Sequence, residues 1–218
     1  MQISEILLIF VATKEIEVQF SNRQFMDEQV LVGNYAKYER FLTNIIGKES
    51  YNKLITAVGG AEKVMRASYA LNQSSGLAFD GAMIFATINI AKMACQINAI
   101  LPESKRVEDK AIYKVALLQH ISKVVMYEPN PSDWERNNRG FIYRFTERGT
   151  TLKTGELSAL FALNNGVQFT EEEFEAVRVN DKMKEEGKTG TVEKNALSMV
   201  IRQATEMLAC IYKEDNNG

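Results

Sequence analysis

Histidine is nearly missing from this chain: one residue, His120, in 218. Catalytic zinc, iron and manganese sites normally combine imidazole nitrogens with carboxylates, so a multi-histidine centre is excluded within one chain. A magnesium site needs only one or two carboxylates and water, and survives that count. Proline is scarce as well. Pro102, Pro129 and Pro131 are the only 3, which leaves long stretches open to helix. The 2 cysteines, Cys95 and Cys210, fall in helical patterns without CxxC or Cys/His zinc spacing. They read as small buried hydrophobes in a reducing, cytoplasmic setting. Charge of one sign is lacking too: 26 basic against 28 acidic residues give a net charge of −2. That argues against a broad footprint for nucleic acid or anionic membrane. "ISEILLIFV" is too short to span a membrane. It also lacks the basic flank and cleavage site of a signal peptide, and no other stretch reads as an uninterrupted span. The P-loop, GxGxxG, GxSxG and DxDxDG patterns are absent, and no cofactor is implied.

What remains is an ordinary globular composition, 45% hydrophobic and 25% charged. The length suits one large domain, with or without a small appendage, and needs no disulfide or structural metal. Residues 1–34 read as an N-terminal extension, in which "ILLIFVA" and "KEIEVQFS" fit two strands or a helix and a strand. Residues 35–218 read as a mainly α domain. Helical spacing begins at Tyr35 and runs to Ile46, and "SYNKLITAVGG" continues it to a glycine stop. "NQSSG" at 72–76 is a loop by composition. Residues 82–101 form a helix apolar on nearly every side (Met83, Ile84, Phe85, Ile88, Ile90, Met93, Ile97), and such a helix is central. Residues 110–126 repeat that character with Ile112, Val115, Leu117, Leu118, Ile121, Val124 and Val125. Pro129 and Pro131 end that helix, and "GFIYRFT" reads as half of a short β-hairpin. "TEEEFEAV" carries a capping box, Thr170 with Glu173, and its acidic first turn suits the helix dipole. A last helix spans Val192 to Tyr212, its stripe formed by Leu197, Val200, Ile201, Ala204, Leu208 and Ile211.

Gln119 and His120 are two polar side chains in the otherwise apolar helix of residues 110–126. An unpaired buried polar group costs about 1–3 kcal/mol. The two residues are therefore a satisfied core pair, or they line a pocket. A Ser–His–Asp triad would have to use His120, and a histidine inside a buried helix is poorly placed to meet a substrate.

The segment 131–156 interleaves Trp134, Phe141, Tyr143 and Phe145 with Arg136, Arg139, Arg144, Arg148 and Lys153. Aromatics among arginines can stack bases and hold phosphate, with Arg139 and Arg144 the anion-binding candidates. Glu128, Asp133, Glu135 and Glu147 nearly cancel that charge. Strand alternation sets Phe141, Tyr143 and Phe145 on one face. The simpler reading is a hairpin that packs its aromatics on the bundle and solvates its arginines, with Trp134 as anchor.

"KVALLQHISKVVMY" resembles the helix that carries the signature dipeptide of HD-domain phosphohydrolases, usually LLHDxxK. "FDGAMIFATINIAKMA" resembles the preceding helix of that family, "LKTGELSALF" its GHGExS turn, "FTEEEFEAVRVNDK" its LTxEExxAIRxHM segment and "IRQATEMLA" its terminal HxADMLA helix. The matches fall in order over residues 67–212. The resemblance implies an HD-domain-like helical bundle, which in the family surrounds a metal centre that hydrolyses phosphate esters, often nucleotides. The family's first histidine position is Ala86 here. Its dipeptide is Gln119–His120, with histidine at the aspartate position. Its glycine-flanked histidine is Thr154, its IRxH histidine is Asn180, and its last aspartate is best matched by Glu206. A one-residue move on a helix turns a side chain by about 100°, so the framework is implied while the metal and the catalytic residues are not. Glu206 also stands four residues after Arg202, the spacing of a surface ion pair.

The expectation is a catalytically inactive HD-domain-like protein. Its former active-site cavity, lined by Gln119, His120, Thr154, Asn180 and Glu206, would bind a small molecule or an anion. Two alternatives stand beside it. One is a divergent phosphohydrolase of nucleotides or phosphate esters. The other is a nucleic-acid or protein interaction module built on the arginine–aromatic hairpin. No membrane partner is expected, and the apolar N-terminal segment could pair with a second copy.

Overall fold

Asp27 opens the helix at Glu28 by accepting a hydrogen bond from the backbone N–H of Gln29 at 3.1 Å. This cap satisfies one of the donors that a helix start leaves orphaned. The computed structural model describes residues 26–179 and 195–213. Helix α1 spans Glu28–Ile46, α2 Lys48–Ala57 and α3 Ala61–Arg66. Helix α4 spans Ala82–Ile100, α5 Asp109–Leu118 and α6 Lys123–Met126. Then come strand β1 (Tyr127–Pro129), α7 (Asp133–Arg139), strand β2 (Tyr143–Phe145), α8 (Thr154–Asn164), α9 (Glu171–Val179) and α10 (Ala196–Tyr212). Short 3-10 turns lie at Gln73–Ser75 and Glu103–Lys105. Among the described residues the chain is mainly helical with one small antiparallel sheet, as the periodicity implies. The strands proposed for the N-terminal extension lie outside the described residues. Helix α1 begins at Glu28 rather than Tyr35.

Helices α4 and α5 form the middle. One apolar cluster gathers Tyr38 and Leu42 of α1, Leu54 of α2, Met83 and Ile84 of α4, and Leu117, Leu118 and Ile121. A second gathers Ile90 and Ala94 of α4, Ile112 and Val115 of α5, Val177 of α9, and Val200, Ile201, Ala204 and Leu208 of α10. Tyr113 packs against both. By length and composition α4 could cross a membrane, contrary to the expectation that no stretch would qualify. Here it packs against α10, α5 and α1, and a core helix reads the same way. Asn98 fixes the turn out of α4: its side chain donates to Val107 O at 2.9 Å and accepts from Val107 N at 3.0 Å.

The single helix expected over 110–126 is interrupted. Gln119 N still bonds Val115 O in α-helical fashion, but Ile121 N bonds Leu118 O and Lys123 N bonds His120 O. These i to i−3 bonds tighten the backbone, so Gln119–Ser122 is a turn between α5 and α6. The break has a tertiary cause: Ser122 offers its backbone N–H to Ser158 Oγ at 3.1 Å and its hydroxyl to Thr154 O at 2.8 Å. Both partners belong to α8, which pulls the turn toward that helix.

The hairpin is closed by helix α7, not by a tight turn. The register pairs Tyr127 with Phe145, Glu128 with Arg144 and Pro129 with Tyr143. The loop before α4 joins it as well: Tyr143 N bonds Leu71 O, Gln73 N bonds Gly140 O, and Asn72 bridges to Phe141. Two expectations of aromatic packing fail. Trp134 is 62% exposed and Phe145 58% exposed, while Tyr143 alone is buried. Tyr143 is held inward by its hydroxyl, which donates to Asp80 at 2.6 Å. On α10, Ile211 of the expected stripe is exposed and Tyr212 is buried in its place. Cys210 is exposed, against the expectation of burial, and Cys95 is half-buried. Burial, with Asp109 beside it, pushes the Cys95 thiol up to about 12, which leaves it an unreactive thiol.

Candidate functional site

The Gln119–Ser122 turn places two polar side chains in the interior. Gln119 is 0% exposed, and neither its Nε2 nor its Oε1 has a hydrogen-bond partner. His120 is buried beside it. Its Nε2 lies 3.1 Å from the Tyr69 hydroxyl, and its Nδ1 has no partner. The tyrosine and imidazole rings meet edge to face at 4.9 Å. The core-pair reading thus holds for one imidazole nitrogen and fails for Gln119.

Lys123 completes the cluster from the first turn of α6. Its ammonium donates to Tyr69 O at 2.6 Å and lies 3.6 Å from the centroid of the Tyr69 ring. Cation–π attraction of this kind is strongest where water is excluded, and Lys123 is buried. Burial, reinforced by the nearby Lys123 charge, holds the His120 imidazole well below its ordinary pKa. His120 is therefore neutral near pH 7, with one nitrogen a donor and the other an acceptor.

The other expected residues divide. Thr154 is buried at the start of α8, and its carbonyl receives the Ser122 hydroxyl. It therefore joins the turn through its backbone. Ser158, one turn on, bonds both the backbone N–H and the hydroxyl of Ser122, the latter at 3.0 Å. Asn180 lies outside the described residues. Glu206 is exposed on α10 with Arg202 3.9 Å away, the surface pair its spacing allows. It is not part of the buried cluster. Arg144 is engaged by Glu128 at 2.6 Å. Arg136 bonds Asp133 and the Asn130 carbonyl, and Arg139 stacks over Phe141 at 5.1 Å. Arg144 and Arg136 thus spend their charge inside the hairpin.

Sequence reasoning missed Tyr69, Lys123 and the Ser122–Ser158 pair. Lys123 was open to detection, as a third polar residue in "QHISKVV". Tyr69 sits in a loop far upstream, and only the fold brings it to His120. Among the described residues, no three His, Cys, Asp or Glu side chains group so as to hold a metal ion. A groove of about 450 Å³ lies elsewhere, lined by Phe41, Asn44, Ile45, Asp109, Lys110 and Tyr113. It contains none of the buried cluster. Comparisons with family models, with curated proteins and with solved structures return no match, so the HD-domain resemblance rests on the order of its motifs alone.

Proposed function

We propose that this chain is a non-catalytic binding protein on an HD-domain-like framework, with the Gln119–His120 turn as its recognition element for a small molecule. The carrying observation is the Gln119 carboxamide, wholly buried with neither polar atom paired. Leaving such groups unpaired costs about 1–3 kcal/mol each. A ligand that pairs them recovers that cost, and the recovery favours binding. The neighbouring groups suit recognition better than turnover. His120 is neutral with one nitrogen on Tyr69, and the Ser122 hydroxyl is tied to Thr154 O.

The test is a thermal-shift screen of the full chain against nucleosides, nucleotides and small amides, run beside a phosphomonoesterase assay. A ligand-dependent rise in Tm that is lost in Gln119→Leu, with no hydrolysis, is the expected result. Phosphomonoester turnover that disappears in His120→Ala would establish the divergent-hydrolase alternative. So would stoichiometric manganese, iron or zinc in the purified protein.

A further inference from the structure

The hydrogen-bonding groups at the turn define the chemistry of the ligand. We infer that the site takes an uncharged, planar group presenting a donor and an acceptor side by side, such as a carboxamide or a lactam edge. This inference rests on the binding reading above and narrows it.

Gln119 carries two N–H donors on Nε2 and an acceptor on Oε1, all buried and unpaired. A carboxylate offers only acceptors at neutral pH. It could satisfy Nε2, but it would set oxygen against Oε1. A cation has the opposite failing. Only a group with both functions pairs both atoms, and another amide edge does so in one planar contact. His120 Nδ1 adds a third position. It donates if the Tyr69 hydroxyl donates to Nε2, and accepts if Nε2 donates to Tyr69.

Charge points the same way. The imidazole is neutral, and the Lys123 ammonium is directed at the Tyr69 carbonyl and ring. An anion here would be stripped of water, and the nearby ammonium of Lys123 is already bonded to the Tyr69 carbonyl, so burying a neutral amide is less costly. Of Tyr69, Gln119, His120 and Lys123, only Tyr69 is partly exposed rather than buried.

The test uses an isosteric pair, benzamide and benzoate, with inorganic phosphate as a third probe. His120 is the only histidine in the chain, so its imidazole proton resonances report on this site alone. Benzamide should move them saturably and raise Tm. Benzoate and phosphate should do neither at the same concentration. Gln119→Leu should weaken benzamide binding at least tenfold while remaining folded, because the substitution removes an unpaired amide. Benzoate or phosphate binding in place of benzamide would overturn this inference and leave the binding reading standing. Benzamide binding unchanged in Gln119→Leu would overturn it as well. No response to any probe, together with no response in the wider screen, would remove the binding reading itself.

Discussion

The Tyr69 hydroxyl and His120 Nε2 stand 3.1 Å apart, joining a loop that precedes α4 to the turn that follows α5. The bond holds a neutral imidazole in the interior, and this gives stability a definite pH dependence. The folded pKa lies below the unfolded value of about 6.5, so the unfolded chain takes up the proton first. The contribution of this group is complete above about pH 6.5. It falls by up to about 1.4 kcal/mol per pH unit below that, until the folded imidazole also protonates. Urea unfolding at pH 7.5 and pH 5.5 should show this loss, and His120→Phe should remove about 1 kcal/mol of the difference. An unchanged difference in the variant would contradict the burial of a neutral ring.

Gln119→Leu should stabilise the ligand-free protein by about 1–3 kcal/mol, because it replaces an unpaired buried amide with an apolar group of similar volume. Gln119→Ala should gain less or lose, since it leaves a cavity. Denaturant midpoints of the three proteins check the order.

Lys114 Nζ meets Glu173 Oε2 at 2.6 Å with both side chains largely buried. The same oxygen accepts the backbone N–H of Thr170 at 2.9 Å and so closes the capping box. Glu173→Gln keeps the cap but strands the ammonium, and should cost about 2–3 kcal/mol. Adding Lys114→Met should restore much of that. A double-mutant coupling below about 0.5 kcal/mol would place the pair with ordinary surface bridges.

Gly155 and Gly33 should respond in opposite directions to alanine. A Cβ on Gly155 would lie 2.4 Å from the Val177 carbonyl, whereas a Cβ on Gly33 would meet nothing within 4 Å. Gly155→Ala should therefore destabilise by about 1–3 kcal/mol through overpacking of α8 on α9. Gly33→Ala, inside α1, should stabilise by about 0.5–1 kcal/mol. Thermal unfolding of both variants distinguishes the two effects.

Trp134→Ala should change stability by less than about 0.5 kcal/mol, because the indole is mostly exposed. A loss of several kcal/mol would restore it as the hairpin's anchor.

The helical architecture was legible where apolar spacing is unambiguous. The span of α4, the α9 capping box and most of the α10 stripe follow from local pattern, and local pattern needs no partner to be read. The break at Gln119–Ser122 does not show in the pattern, because Ile121 and Val124 keep helical spacing across it. Its cause is the Ser122 contact with α8, a tertiary bond between residues far apart in sequence. The hairpin failed for a similar reason. Alternation assigned Phe141, Tyr143 and Phe145 to one face, but the bundle covers only part of that face and Phe145 projects past it. At the candidate site, Gln119 and His120 stood out as polar residues in an apolar run. Their partner Tyr69 had no such signal.

The carbonyl of Tyr212 occupies the space beside Gly76, where a side chain would come within 1.9 Å of it. The end of α10 is thereby fitted against a loop made long before it, and α10 is also the main neighbour of α4. During synthesis α4 emerges well ahead of that neighbour. Its apolar surface depends on α1, α5 or a chaperone for cover until the last helix arrives. Closure between such distant segments is slow compared with the pairing of adjacent helices. Chains cut short before α10 should therefore aggregate rather than persist as smaller folded units.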